Sequence, residues 1–303
     1  MVQDLDNQRL LQLWMYSAQA EHTLEASIEI AKQHGYSGLL IKSLDGVTWM
    51  GHIDPWPDAI RSTSQAAEQK VWVNNAGLLY CLWTNPLYYE DSRMIDQAHM
   101  TADLANVADA LFLDVEPYPQ FWGANRPTGK AAGFMFAIRE RAPDAYIVLQ
   151  PDPRPARFRE LRPEEWLPHV NAISGQHYWS DFGTTPESLT RALEMRDLYN
   201  LPVYPTLPGN APVDQLSRAV ELLTEWEITG YVAWRLGSMS AEQLAIVGQG
   251  QSDPEISREE HIANAIAVTN GWNARLLEII EELQQMNSEM EDVEQTLREH
   301  GLR

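Results

Sequence analysis

The chain repeats a short apolar run, closed by Gly, Pro, Asn or Asp, eight times at intervals of about 30 residues, the length of one strand, one helix and a return. The runs are "LQLWMYSA" from Leu11, "GLLIKSLDG" from Gly38, "GLLYCLWTNP" from Gly77, "ALFLDVEPY" from Ala110, "AYIVLQPDP" from Ala145, "AISGQHYWSDF" from Ala172, "LPVYPTLPGN" from Leu201 and "GYVAWRLGS" from Gly230. Between them lie amphipathic stretches such as "EHTLEASIEIAKQHG", "DSRMIDQAHMTADLANVAD", "TPESLTRALEMRDLYN" and "PVDQLSRAVELLTEWEITG", which read as helices. Thr185 before Pro186 and Glu187 reads as an N-cap with Pro at the first helical position, and Gly35 and Gly230 read as helix stops. Strands that are apolar almost throughout need cover on both faces, which a parallel sheet obtains from its crossover helices. Eight such units in about 250 residues predict an α/β fold, a single (β/α)8 TIM barrel. An open doubly wound sheet is the alternative, but no GxGxxG follows the first run.

The repeat ends near Gly248, so the barrel is expected over residues 1–248, a polar linker over 249–258 and a helical segment over 259–303. In that last segment Trp272, Leu276, Ile279, Leu283, Met286, Met290, Val293 and Leu297 alternate spacings of four and three, the heptad pattern of a coiled coil. Leu at the first core position and Ile at the second favour three or four strands over two. A homo-oligomer held through the Trp272 to Leu297 helix is therefore expected; the other reading is an amphipathic helix folded back on the barrel or a neighbour. Glu282, Glu289 and Glu294 would repel across a parallel pair, which leaves partner and orientation open.

A formal charge of -21 and the lack of any Lys/Arg cluster argue against nucleic acid as a partner. No apolar run approaches the roughly 20 residues of a membrane span, and no signal peptide is visible, so synthesis in the cytoplasm is expected. Release or assembly into a larger particle is compatible with that reading. The one cysteine, Cys81, lies within "LLYCLW" and reads as a small core hydrophobe. No His-x-His pair marks an early strand, His177 reads as a hydrogen-bonded wall residue, and "LPGNAP" and "RLGS" are poor phosphate loops without a lysine. Neither a metal nor a cofactor is expected.

In barrels of this kind chemistry sits where strands end, because the loops there converge on one mouth. Asp114 and Glu116 close the fourth run two residues apart, on the same side of the strand. Their mutual repulsion and apolar neighbours should keep one carboxyl protonated near neutrality beside an ionised partner. Such a pair is what glycoside cleavage uses.

"DALFLDVEPY" is similar to the fourth-strand signature D-x-x-D-x-D-x-E of the chitinase-like glycoside hydrolases of family 18. Asp109, Asp114 and Glu116 match, and Phe112 stands where the family has its second Asp. The sixth run places Gln176 and Tyr178 where the family has M-x-Y-D, with Trp179 in the Asp position and Asp181 two residues on. The eighth offers Trp234 where the family floors its sugar site. "FLDVE" also resembles the Asp-x-Glu strand of the family 25 lysozymes, which act on peptidoglycan, although the first run lacks their Asp. The resemblance implies Glu116 as general acid, Asp114 holding and polarising the 2-acetamido group of an N-acetylhexosamine, and Tyr178 donating to the acetamido oxygen. It implies retention through attack by the substrate's own acetamido group.

Trp49, Trp56, Trp83, Trp122, Trp179 and Trp234 fall at or beyond strand ends, where flat faces can stack on sugar rings. Asn85, Gln150, Asp152, Arg235 and Lys42 stand at strand ends as candidate hydrogen-bonding partners of a glycan. Two other readings stand beside these. Lys42 or Arg235 could tie up Asp114 or Glu116 in a structural ion pair. A degenerate barrel arrayed by its C-terminal helix could be an attachment protein on a virion or tail-like particle, where multivalency offsets weak glycan sites.

Overall fold

The computed structural model describes residues 4–18, 23–90 and 92–250. The strands are β1 (Arg9–Leu13), β2 (Gly38–Asp45), a short β3 (Thr48–Trp49), β4 (Leu79–Asn85), β5 (Ala110–Val115), β6 (Ile147–Pro151), β7 (Ala172–Ile173), β8 (Thr206–Pro208) and β9 (Tyr231–Trp234). The expected runs supply all of them except β3, an antiparallel hairpin partner of β2. The other eight pair in parallel in the order β7-β6-β5-β4-β2-β1-β9-β8. Parallel bridges from Ile173 to Val203 and from Gln176 to Thr206 join the two ends of that order and close the ring. The expected (β/α)8 barrel is therefore observed.

The closing strand β8 sits in a segment with prolines at 202, 205 and 208. Tyr204 and Thr206 donate backbone N–H groups across the seam to the carbonyls of Ile173 and Gly175, at 2.9 Å each. Pro205 turns toward β9 instead, where its carbonyl accepts from Val232 N–H.

Ten helices wrap the described barrel: α1 (Leu24–Gln33), α2 (Thr63–Asn75), α3 (Ser92–Val107), α4 (Lys130–Arg141), α5 (Pro155–Glu160), α6 (Pro163–Trp166), α7 (Trp179–Phe182), α8 (Thr190–Tyr199), α9 (Val213–Glu225) and α10 (Ala241–Gln249). Thr23 caps α1 by accepting from Ala26 N–H at 3.1 Å, and the chain leaves that helix through Gly35 at φ +80°. The expected cap at Thr185 is different in form. A 3₁₀ turn (Pro186–Leu189) precedes α8, and the Thr185 hydroxyl donates to the Glu187 carboxylate at 2.7 Å. α10 runs one residue past the expected end of the barrel, and no helix among the described residues is long and apolar enough to cross a membrane. Most of the expected linker and the whole heptad segment, within residues 252–303, lie outside the described residues.

Alternation along the strands sorts side chains into two cores. Leu10, Leu40, Cys81, Ala110, Phe112, Val148, Ala172, Tyr204 and Val232 point inward and form the barrel's own interior, stoppered below by Leu5. Their neighbours, such as Leu11, Leu39, Leu82, Leu111, Leu149 and Ala233, point outward into the larger core beneath the helices. Further up most strands the inward positions become polar, β9 instead carrying Trp234: Gln12, Lys42, Asn85, Asp114, Gln150, Ser174, Gln176 and Thr206 are all buried. The barrel thus changes from greasy to polar along its axis, and the polar layer faces the C-terminal mouth.

The loop after β5 is pinned by Trp122, fully buried against Trp166 at 4.8 Å, Phe134 at 5.6 Å and Tyr88 at 5.9 Å between ring centroids. Trp122→Ala removes the centre of that cluster and should lower stability by about 3–5 kcal/mol. Chemical denaturation of the two proteins measures it; a loss below about 1 kcal/mol would mean the loop is held by other contacts.

Candidate active site

Asp114 is the last inward residue of β5 and Glu116 follows two positions on, just past the strand. Asp114 is held by two neutral amides. Asn85 Nδ2, at the end of β4, donates to Oδ2 at 2.7 Å, and Gln176 Nε2, beyond β7, donates to Oδ1 at 2.6 Å. Gln176 also donates to the Gln150 carbonyl at 3.1 Å. Below it, Gln150 Nε2 donates to Thr206 Oγ1 at 2.8 Å and to Gln12 Oε1 at 3.1 Å, and Thr206 meets Ser174 Oγ at 2.9 Å. Gln176 is thus anchored on the β6 backbone, and the orientation of Asp114 is set by groups that add no charge.

Burial raises the affinity of both carboxyl groups for protons. Glu116 is raised the further of the two, because the charges of Asp114 and Asp152 add to its burial. Lys42 and the amides of Asn85 and Gln176 pull Asp114 the other way without overcoming burial. The pair titrates together and takes up its last proton above the ordinary carboxylate range.

The ion-pair alternative does not hold for this pair: among the described residues neither carboxylate lies within 4.0 Å of a cation. Lys42 Nζ is 3.6 Å from Asp45 Oδ1 and 4.9 Å from the Trp83 ring centre. Arg235 lies over Trp14 at 4.8 Å.

Tyr178 joins the carboxylates. Burial and the charges of Asp114 and Glu116 keep its hydroxyl protonated and so a donor. Its ring stacks on Trp234 at 6.3 Å and 30°, and Trp234 stands edge-on to Trp83 at 5.6 Å. Trp234 is partly exposed, whereas Trp83 is buried and donates its indole N–H to Leu13 O at 2.8 Å. Trp83 therefore props Trp234 and offers no open face of its own. The backbone leaves the floor at a cis peptide between Trp234 and Arg235.

Other sequence candidates are placed elsewhere. Trp179, the first residue of α7, is fully buried in the outer core and donates its indole N–H to Gln215 at 2.9 Å. Trp122 is core, and Trp49 and Trp56 pack against the outer core. Asp109 matches the signature, but it too points outward: it pairs with Lys70 at 2.8 Å and accepts from Tyr80 N–H. Gln150 is buried beneath the acids with its amide bonded to Gln12 and Thr206. Asp152 faces the mouth yet is gripped by Arg154, which also donates to the Tyr118 hydroxyl at 2.9 Å. His177 is buried, with its proton affinity lowered to about 3 by desolvation and Arg191, so it stays neutral. Cys81 is the core hydrophobe expected. Among the described residues no three His, Cys, Asp or Glu side chains group to hold a metal.

The belt residues Gln12, Ser174 and Thr206 and the rim residues Trp14, Tyr118 and Arg154 were not foreseen. Gln12 had a visible signal, as the one polar side chain within "LLQLWM".

The parallel barrel has the fold of solved TIM-barrel glycoside hydrolases, chitinases among them. By sequence, no family model and no curated protein matches the chain. By structure, it is similar to a GH18 chitinase from Pseudoalteromonas aurantia, with TM-score 0.52, 15% identity and coverage of 80% of this chain and 99% of that one. The catalytic domain of a hyperthermophilic chitinase from Pyrococcus furiosus gives TM-score 0.56 and 13% identity over 83% of this chain and 92% of that one. An endo-1,4-beta-mannanase from Rhizomucor miehei gives 0.59 and 8% over 82% and 95%. The likeness fixes the fold and spans enzymes named for different glycans.

The buried acids have a cost that pH exposes. Both hold protons more tightly folded than unfolded, so the stability they contribute is complete below the unfolded carboxylate values and is lost as pH rises through the raised folded ones. Glu116→Gln keeps a neutral group there at every pH. Its melting temperature should exceed that of the wild type above neutrality by roughly 2–4 °C and converge on it near about pH 4. Calorimetry across that range checks this; an equal or lower value throughout would show that Glu116 is not a desolvated acid.

Proposed function

We propose that the barrel hydrolyses a glycan containing N-acetylhexosamine, chitin-like or peptidoglycan, with retention at the anomeric carbon. The observation that carries this reading is the pair itself: Glu116 shifted toward its protonated form beside an Asp114 that is aimed by two amides and bound to no cation.

Glu116 donates its proton to the glycosidic oxygen as the bond from that oxygen to the anomeric carbon breaks. The carbonyl oxygen of the sugar's own acetamido group forms the new bond to that carbon, giving a cyclic oxazolinium ion. Asp114 retains acceptor capacity beyond its two amide bonds, accepts from the acetamido N–H and offsets the positive charge that develops there. The Tyr178 hydroxyl donates to the acetamido oxygen and sets its line of approach, while Trp234 supports the ring. Water then attacks the anomeric carbon from the face the leaving group left, Glu116 takes its proton, and the acetamido bond is released. Two displacements give net retention.

Phe112 supports a second reading. It is fully buried in the apolar interior, so Asp114 has no carboxyl group beneath it to exchange a proton with. Without that partner the site could bind glycans and not turn them over, as an oligomeric attachment protein would.

Release of reducing ends from chitin oligosaccharides and purified peptidoglycan, measured together with binding, separates the two. On the first reading Glu116→Gln lowers kcat about 10²–10⁴-fold with binding kept, and Tyr178→Phe lowers it about tenfold. The first-formed product carries the anomeric configuration of the substrate by NMR; inversion would exclude acetamido participation. Binding without cleavage in wild type and Glu116→Gln alike would establish the attachment reading.

A further inference from the structure

Arg235 is a cation at the mouth without an acid. Two cations near other strand ends each have one: Lys42 has Asp45 and Arg154 has Asp152. Among the described residues no carboxylate lies within 4.0 Å of Arg235. Its backbone is fixed by reciprocal bonds with Ser238, whose hydroxyl accepts from Arg235 N–H at 3.3 Å and donates to Arg235 O at 2.9 Å.

The guanidinium is centred 4.8 Å from the Trp14 ring and 5.8 Å from the Trp234 ring. Nη1 is shut off from solvent and has no partner. Burial lowers the proton affinity of the group, and no neighbouring charge opposes it. A desolvated cation of this kind is uncompensated until an anion meets its remaining edge.

Its position says which part of a ligand it would meet. β9 pairs with β1, and Arg235 and Trp14 stand just beyond those two strands. β5 is four strands around the ring, so this ledge lies across the mouth from Asp114 and Glu116. A sugar seated on Trp234 with its reacting bond toward Glu116 therefore has a neighbouring ring or substituent over the ledge. A guanidinium over an indole keeps Nε and Nη2 in one plane as a fork, the geometry that receives a carboxylate in two parallel hydrogen bonds.

We infer that Arg235, stacked on Trp14, is a specificity residue that receives a carboxylate borne by the glycan, and that the substrate is an acidic N-acetylhexosamine polymer rather than a neutral one. This rests on the glycosidase reading above and narrows it. Two sources supply that chemistry: the ether-linked lactate of peptide-free peptidoglycan strands, and the uronate of a polymer such as hyaluronan.

The test compares the wild type, Arg235→Gln and Arg235→Lys on three sets of oligomers: peptide-free peptidoglycan strands, hyaluronan oligosaccharides and chitin oligosaccharides. The wild type should prefer one carboxylate-bearing set over chitin, and whichever set that is identifies the source. Read as a ratio of kcat/KM values, the preference should fall at least tenfold in Arg235→Gln, corresponding to about 1.4 kcal/mol or more. Arg235→Lys should recover only part of it, since the ammonium keeps the charge and loses the fork. Added salt should weaken the acidic set selectively.

A ratio unmoved by either substitution, in an enzyme that Glu116→Gln inactivates, overturns this inference and leaves the glycosidase reading standing. If no set is cleaved, that reading fails, and the inference is decided by the same ratio of dissociation constants. Absence of binding to both acidic sets overturns it.

Discussion

A carboxylate held by two carboxamides keeps its charge available. Asn85 and Gln176 fix both oxygens of Asp114 and neutralise neither, so the group arrives at the mouth oriented, desolvated and unpaired. Much of the site follows from that choice. Burial pushes Glu116 toward its acid form and the negative charge on its partner adds to that, and burial with the same charge keeps Tyr178 a donor. A lysine or arginine in place of either amide would have tied Asp114 down equally well and removed the field that distinguishes the two acids. Beneath the two amides Gln12, Gln150, Ser174 and Thr206 bond to one another, and Gln176 is anchored on the Gln150 carbonyl, so a barrel apolar at its base carries a self-satisfied polar layer higher up.

The architecture was legible because parallel strands buried on both faces write themselves as unbroken apolar runs, and eight evenly spaced runs have few other solutions. The acids were legible because charge at the end of such a run has no structural reason to be there. Alternation accounts for Asp109, which occupies an odd position beside β5 and so faces the helices. Trp179 lies in α7, to which strand alternation does not extend. The same rule marks Gln12, the one inward polar side chain of its run. Asp152 could not have been resolved that way: it points into the mouth as expected, and only the fold shows that Arg154 doubles back two residues later to grip it. β3 was invisible because a two-residue strand carries no period.

Phe112 is the clearest departure from the chitinase-like signature, and the structure gives it an ordinary physical role. It lies level with Trp83 and Val148 and completes the apolar layer directly under the polar one. A carboxyl group there would be surrounded by hydrocarbon and would gain a neighbour only in Asp114. Fold similarity does not resolve what that exchange does to chemistry, since chitinases and mannanases share the barrel; the side chains at the mouth decide it.

The proline-rich seam strand has a consequence for how this protein survives its own opening. A parallel barrel that parts between β7 and β8 exposes a fresh strand edge, the kind of surface on which chains add to one another and aggregate. On that edge Pro202 and Pro208 bracket the segment and have no N–H to offer, which leaves Tyr204 and Thr206 as its two donors. Two donors suffice to close the ring against a partner already in register. They make a poor template for a stranger, so the place where the barrel is joined is also where it is least able to recruit another molecule.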